Sequence, residues 1–280
     1  MNIHIEQGRI QESKADTIIV NLFAEVTTPG GATGAVDKAL QGAISELIAQ
    51  GDLKGKAGEV AVLYPRGVIP AKRVLVVGLG KRDKFDLEGV RLAAANAIKQ
   101  AQKLNAKQVA TIVHGAGVGN LPVAAATQAT LEGSLLALYQ YAAAKQKKEN
   151  GNNNAIESLT IVEHDADKLA DIQAGAEAAQ AIAAGVTLAR DLVNMPPNVA
   201  TPTKLAEAAQ EIASAHNLNI IVGGRDWAAE HKMGAFLAVA QGAGEEPKFI
   251  VLEHNGDRTD LETVVLVGKG ITFDTGGHLH

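Results

Sequence analysis

No cysteine occurs among the 280 residues, so neither a disulfide framework nor a thiolate metal or redox site is available. That usage fits a reducing cytoplasm. Aromatic residues are nearly missing as well, at 3%, so the core must come from Ala, Val, Ile and Leu within a hydrophobic content of 46%. No apolar run approaches the roughly 20 residues that span a bilayer. The opening MNIHIEQGRI also lacks the regions of a signal peptide. A strong excess of either charge is absent too. The formal net charge of −5 argues against nucleic acid or an anionic membrane as the main partner. No internal repeat is apparent. Low complexity is confined to Lys145–Asn154, KQKKENGNNN, which reads as a surface loop.

What is present first is alternation. Short β-rich runs at Asn2–Glu6, Thr17–Phe23, Glu59–Tyr64, Arg73–Gly78, Gln108–His114 and Glu157–Glu163 are separated by helical patterns near Ala35–Gln50, Leu87–Leu104 and Pro122–Ala144. This order predicts a mostly parallel sheet covered by helices, an α/β fold. Two glycine-rich segments invite a phosphate-loop reading. Val76–Arg82 lacks both the third spaced glycine and the P-loop spacing, and reads as a tight strand-to-helix turn. His114–Gly119 has neither dinucleotide spacing nor an evident acidic partner.

Asp165–Val193 is Ala-rich and reads as one long helix, weakened by Gly175 and Gly185. Met195-Pro196-Pro197 ends it, since proline excludes the α conformation in the residue before it. Asn194 and Asn198 then read as partners of local backbone in a rigid turn. Thr201 is a fair N-cap with Pro202 at the first helical position, opening a helix to His216 that leads into strand Asn219–Val222. Trp227 reads as a packing residue. Pro247–His254 reads as a strand hairpinned through Asn255-Gly256 onto Thr263–Val267. Glu253 and His254 at that turn read as solvated strand-end residues rather than ligands.

The decisive stretch is Thr263–Gly277. Its first five residues are β-branched or aliphatic without a break, which predicts a strand covered on both faces. Glycines then crowd a turn carrying Lys269 and Asp274. A P-loop would need Gly at Thr263 and Ser or Thr at Gly270, so that reading fails. A plain loop ion pair stays open on the residues alone.

The eleven residues VGKGITFDTGG, Val267–Gly277, closely resemble the first metal-binding motif of the leucyl aminopeptidase family, the M17 cytosolic metallopeptidases. Arg190–Asn198 also resembles the family's R-x-L-x-N-x-P-x-N segment, and Met233–Gly244 follows its pattern. The resemblance implies an N-terminal α/β domain akin to macro domains over residues 1–164. A linker helix follows at 165–193, then the truncated start of a Zn-exopeptidase-like α/β catalytic domain at 194–280. It implies that Lys269 and Asp274 are ligands of a two-metal centre using Mn²⁺ or Zn²⁺, in an enzyme that releases N-terminal residues from peptides.

The family's catalytic lysine would fall one residue beyond His280, and its further carboxylate ligands and arginine lie later still. His278 and His280 depart from the family pattern and read as a truncation end. Two ligands do not hold two metals, so the expectation is an inactive fragment with weak ion binding. Its assembly is expected to be smaller than the family's hexamer, or aggregated. The competing reading is a non-catalytic α/β module for ligand binding or assembly.

Overall fold

The computed structural model describes residues 1–117, 119–141 and 155–273. In it the apolar runs of the first half become strands β1 (Asn2–Gln7), β2 (Thr17–Phe23), β3 (Val60–Leu63), β4 (Arg73–Gly80), β5 (Gln108–Thr111) and β6 (Ser158–Glu163). They form one sheet in the order β1-β6-β5-β2-β4-β3. Every neighbouring pair is parallel except β3–β4, which is antiparallel at one edge.

Side chains alternate between two cores. Ile19, Leu75, Val77, Leu159 and Ile161 face one side, while Ile18, Val20, Val74, Val76 and Val162 face the other. Both sides are covered by helices, so the central strands are dominated by apolar residues on both faces, as in Ile18–Val20 and Val74–Val77. On the second face lie α1 (Gly31–Ala39) and α2 (Ala43–Gln50), through Val36 and Ile44. On the first face lie α3 (Leu87–Lys103), α4 (Val123–Ala137) and α5 (Leu169–Asn194), through Ile98, Leu131 and Ile172. The expected parallel, helix-covered sheet is therefore what forms.

Three local expectations are corrected. The single helix foreseen over Ala35–Gln50 breaks at Gln41 and Gly42, both at positive φ (57° and 89°). Asp37, at the end of α1, turns its carboxylate onto α2 and accepts the Ile44 and Ser45 N–H groups at 2.8 and 3.0 Å. A carboxylate at a helix start satisfies donors that otherwise have no partner, so the break is stabilised from within. Val76–Gly80 is not a turn but the end of β4. A Cβ at Gly78 would meet the Lys56 carbonyl oxygen at 2.0 Å, so glycine lets that loop cross the strand. Finally, β5 stops at Thr111 rather than His114.

The chain divides into two compact units, Met1–Leu188 and Ala189–His280. The described part of the second begins with the end of α5, which stops at Asn194, just before Met195-Pro196-Pro197. Thr201 caps α6 (Pro202–His216) by accepting the Lys204 N–H at 3.2 Å. Next come β7 (Asn219–Gly223), α7 (Arg225–Glu230), α8 (Gly234–Val239) and β8 (Phe249–Glu253). Trp227 packs as expected, stacked on Phe249 with ring centroids 5.5 Å apart.

The hairpin onto Thr263–Val267 does not form. β8 pairs antiparallel with β7, and Thr263–Val267 has no regular structure, with Leu266 and Val267 each 92% exposed. A β-branched run becomes a strand only when a neighbour takes its backbone hydrogen bonds, and among the described residues none does.

Candidate functional site

The metal motif lies in that irregular segment. Lys269 is exposed, and the neighbouring Gly270 passes over α6, its built Cβ 3.8 Å from Leu205 Cδ1. Asp274, His278 and His280 lie outside the described residues, as does Lys145–Asn154. Among the described residues no three His, Cys, Asp or Glu side chains come together to hold an ion. Glu253 accepts the Asn219 amide at 3.0 Å across β7–β8, and His254 is exposed, which agrees with their strand-end reading. Of the two motif ligands only Lys269 lies among the described residues, and one donor does not make a metal centre.

A second site was not foreseen. At the carboxyl ends of β2, β5 and β6 the first unit opens a cleft of about 580 Å³. Its floor includes Asn21, Leu22 and Phe23 from β2, Ile112 and Val113 after β5, and Val162 and Glu163 of β6. Two glycine loops wall it: Gly30-Gly31, which open α1, and Gly115-Ala116-Gly117, which precede α4. The second loop is the segment that lacked a dinucleotide spacing. Its signal lies in topology, because the other loop comes some 85 positions earlier in the sequence.

Below the cleft sits His114, wholly buried. Burial disfavours the imidazolium and pushes its pKa down to about 4, so the ring is neutral at pH 7. Its Nδ1 lies 3.0 Å from the Asn21 amide nitrogen, and its Nε2 3.5 Å from Thr111 Oγ1. Nδ1 then accepts from Asn21 and Nε2–H points at Thr111. The ring fixes the Asn21 amide that faces the cleft. At the rim, Arg82 stands 5.2 Å over the Phe23 ring.

Comparison with known proteins bears on the family and the fold. The catalytic-domain model of the cytosol aminopeptidase family matches residues 187–279, and the family's N-terminal-domain model matches residues 19–148. A probable cytosol aminopeptidase of Alkaliphilus oremlandii is 34% identical over 277 residues, covering 99% of this chain and 55% of that protein. A mutant tomato leucine aminopeptidase superposes with a TM-score of 0.71 at 24% identity, over 89% of this chain and 50% of that one. A Trypanosoma brucei macrodomain in complex with ADP gives 0.50 at 16% identity, over 62% of this chain and 69% of that one. The chain thus spans about half the length of the curated relatives it matches. With both family models matched, in order and over most of its length, the chain belongs to the cytosol aminopeptidase family.

Proposed function

We propose that this chain is the N-terminal domain, linker helix and start of the catalytic domain of a two-metal aminopeptidase, a hydrolase that releases N-terminal residues from peptides in the cytoplasm. The domains are assigned to residues 1–164, 165–193 and 194–280. One observation carries the reading: VGKGITFDTGG lies inside the stretch matched by the family's catalytic-domain model.

Lys269 and Asp274 are assigned as metal ligands. An ammonium has no lone pair, so Lys269 must lose its proton to ligate, which ties affinity to pH. The Asp274 carboxylate is a hard oxygen donor that suits Mn²⁺, Zn²⁺ or Mg²⁺. Lys269 and Asp274 would help hold a divalent ion, whose chemistry, when bound, would be Lewis-acid polarisation of the scissile carbonyl. These two donors leave most of a coordination sphere to water. The 280-residue polypeptide alone should therefore bind ions weakly and turn over no peptide.

The test is leucine p-nitroanilide hydrolysis and Mn²⁺ or Zn²⁺ calorimetry on the purified polypeptide. Turnover that Asp274→Ala abolishes would overturn the inactivity. Ion binding unchanged by combined Lys269→Ala and Asp274→Ala would overturn the ligand assignment.

A further inference from the structure

We infer that Asn255 of this polypeptide is a site of spontaneous covalent modification, at which the side-chain amide is lost and an aspartyl or isoaspartyl residue remains. Asparagine is thermolabile because a backbone nitrogen can displace its amide. Here the Gly256 nitrogen attacks Asn255 Cγ. The N–Cγ bond forms, the Cγ–Nδ2 bond breaks, and ammonia leaves with the proton of the Gly256 N–H. Water then opens the cyclic imide at either carbonyl. One opening gives aspartate, the other isoaspartate with an extra methylene in the main chain.

Ring closure asks three things of the fold: a following N–H that is not engaged, an amide free to swing, and no side chain blocking the attack. Among the described residues four asparagines sit in the left-handed region, Asn105, Asn120, Asn217 and Asn255, at φ 57°, 54°, 53° and 55°. After the first three the N–H is already engaged. Ala106 donates to the Ala101 carbonyl at 3.0 Å and Leu218 to that of Ala213 at 2.9 Å, bonds that close α3 and α6. Leu121 donates to the Gly115 carbonyl at 3.2 Å. Each of these three donors also carries a side chain. Asn255 differs on every count. Both it and Gly256 are exposed, and among the described residues neither the Gly256 N–H nor the Asn255 amide has a hydrogen-bond partner.

Turn geometry itself selects this pair. The left-handed conformation at the end of β8 favours asparagine, whose short polar side chain tolerates it. A Cβ on the next residue would run into the Glu253 carboxylate, which the Asn219 amide holds in place at 3.0 Å, so glycine follows. The turn is closed by the Arg258 N–H on the Asn255 carbonyl at 2.9 Å. An exposed turn with so little holding it opens at small cost, which lets the Gly256 nitrogen swing onto Cγ.

The product adds a carboxylate between Glu253 and Asp257 in the sequence, and the isoaspartyl form lengthens the backbone where β8 ends. The chain's other Asn-Gly, Asn150-Gly151, lies outside the described residues and falls on a different tryptic peptide. Trypsin releases Asn255 on Phe249–Arg258, FIVLEHNGDR, which holds no other asparagine or glutamine, so its conversion is read alone.

The test ages the folded 280-residue polypeptide beside the synthetic peptide FIVLEHNGDR in the same mildly alkaline buffer. Mass spectrometry of tryptic digests follows the loss of amide, with a freshly purified sample as the zero point. Methyl transfer from labelled S-adenosylmethionine by an isoaspartyl carboxyl methyltransferase reports the isoaspartyl form. Asn255 should convert within about tenfold of the peptide's rate, while Asn105, Asn120 and Asn217 convert at least roughly a hundredfold more slowly than Asn255. The methyl label should appear on Phe249–Arg258. Conversion of Asn255 a hundredfold or more below the peptide, on the order of 2.7 kcal/mol of protection, would show that the fold shields the site. Conversion of the three engaged asparagines at the rate of Asn255 would show that their backbone bonds do not decide it. Either result overturns the inference.

Discussion

The Asn21 amide nitrogen and His114 Nδ1 meet at 3.0 Å, tying β2 to the loop after β5 beneath the cleft. The contact requires a neutral imidazole, and burial keeps it so. The folded pKa is about 4 against an ordinary 6.5. Below pH 6.5 the unfolded chain takes up a proton that the folded chain refuses, so stability is lost as pH falls towards 4. The loss from this group totals about 3 kcal/mol. Urea unfolding at pH 7, 5.5 and 4.5 should follow that fall, and His114→Gln should flatten it. An equal slope in the variant would assign the effect to other groups.

Two glycines of α5 should respond in opposite directions to the same substitution. A Cβ at Gly175 would lie 2.3 Å from the Ala124 carbonyl oxygen, so α4 and α5 approach closely there. Gly175→Ala should destabilise by roughly 2 kcal/mol through overpacking. At Gly185 a Cβ meets nothing within 4 Å, and Gly185→Ala should stabilise by about 0.5–1 kcal/mol through helix propensity. Denaturant midpoints that move the same way would refute the close-approach account.

Arg91 of α3 donates from Nε to the buried Glu132 carboxylate of α4 at 2.7 Å, and Gln128 Nε2 donates to its other oxygen at 2.7 Å. The bond raises the arginine pKa. Arg91→Ala would leave a buried carboxylate with only the Gln128 amide. We expect a loss of roughly 2 kcal/mol, below the 3–5 typical of fully buried pairs because Arg91 is 35% exposed. Adding Glu132→Gln should recover part of it. No recovery in the double variant would mean that the pair acts through packing alone.

The exposed run Val264–Val267 should make the isolated polypeptide associate. Light scattering is expected to show a mixture or aggregate rather than the hexamer the family resemblance implies. Val265→Lys with Leu266→Lys should shift it towards monomer. A uniform hexamer in the parent would contradict this.

The sheet was legible because strands buried on both faces write themselves as unbroken apolar runs, as Ile18–Val20 and Val74–Val77 do. The α6 start was legible because Thr201-Pro202 caps locally. The α1–α2 break was not, since Asp37 reads as an ordinary helical residue until its carboxylate is seen across the turn. Val264–Val267 misled for the opposite reason: β-propensity states that a segment fits a sheet, not that a neighbour exists. Of the candidate metal site only the sequence pattern was legible. The cleft needed the strand order, because Gly30 and Gly115 come to line one cleft through topology alone.

The pairing of β1 with β6 sets a clock on synthesis. Asn2 has its register partner in Ser158, so the first strand made waits for the last strand of its sheet. At about 5–20 residues per second, that wait lasts some 8–30 s. During it the β6 position beside β5 is also vacant, and the apolar faces of Ile3 and Ile5 have no strand to join. A nascent chain of this design is obliged to hold its own beginning in reserve, open to chaperones and to premature partners, until Glu163 has left the ribosome.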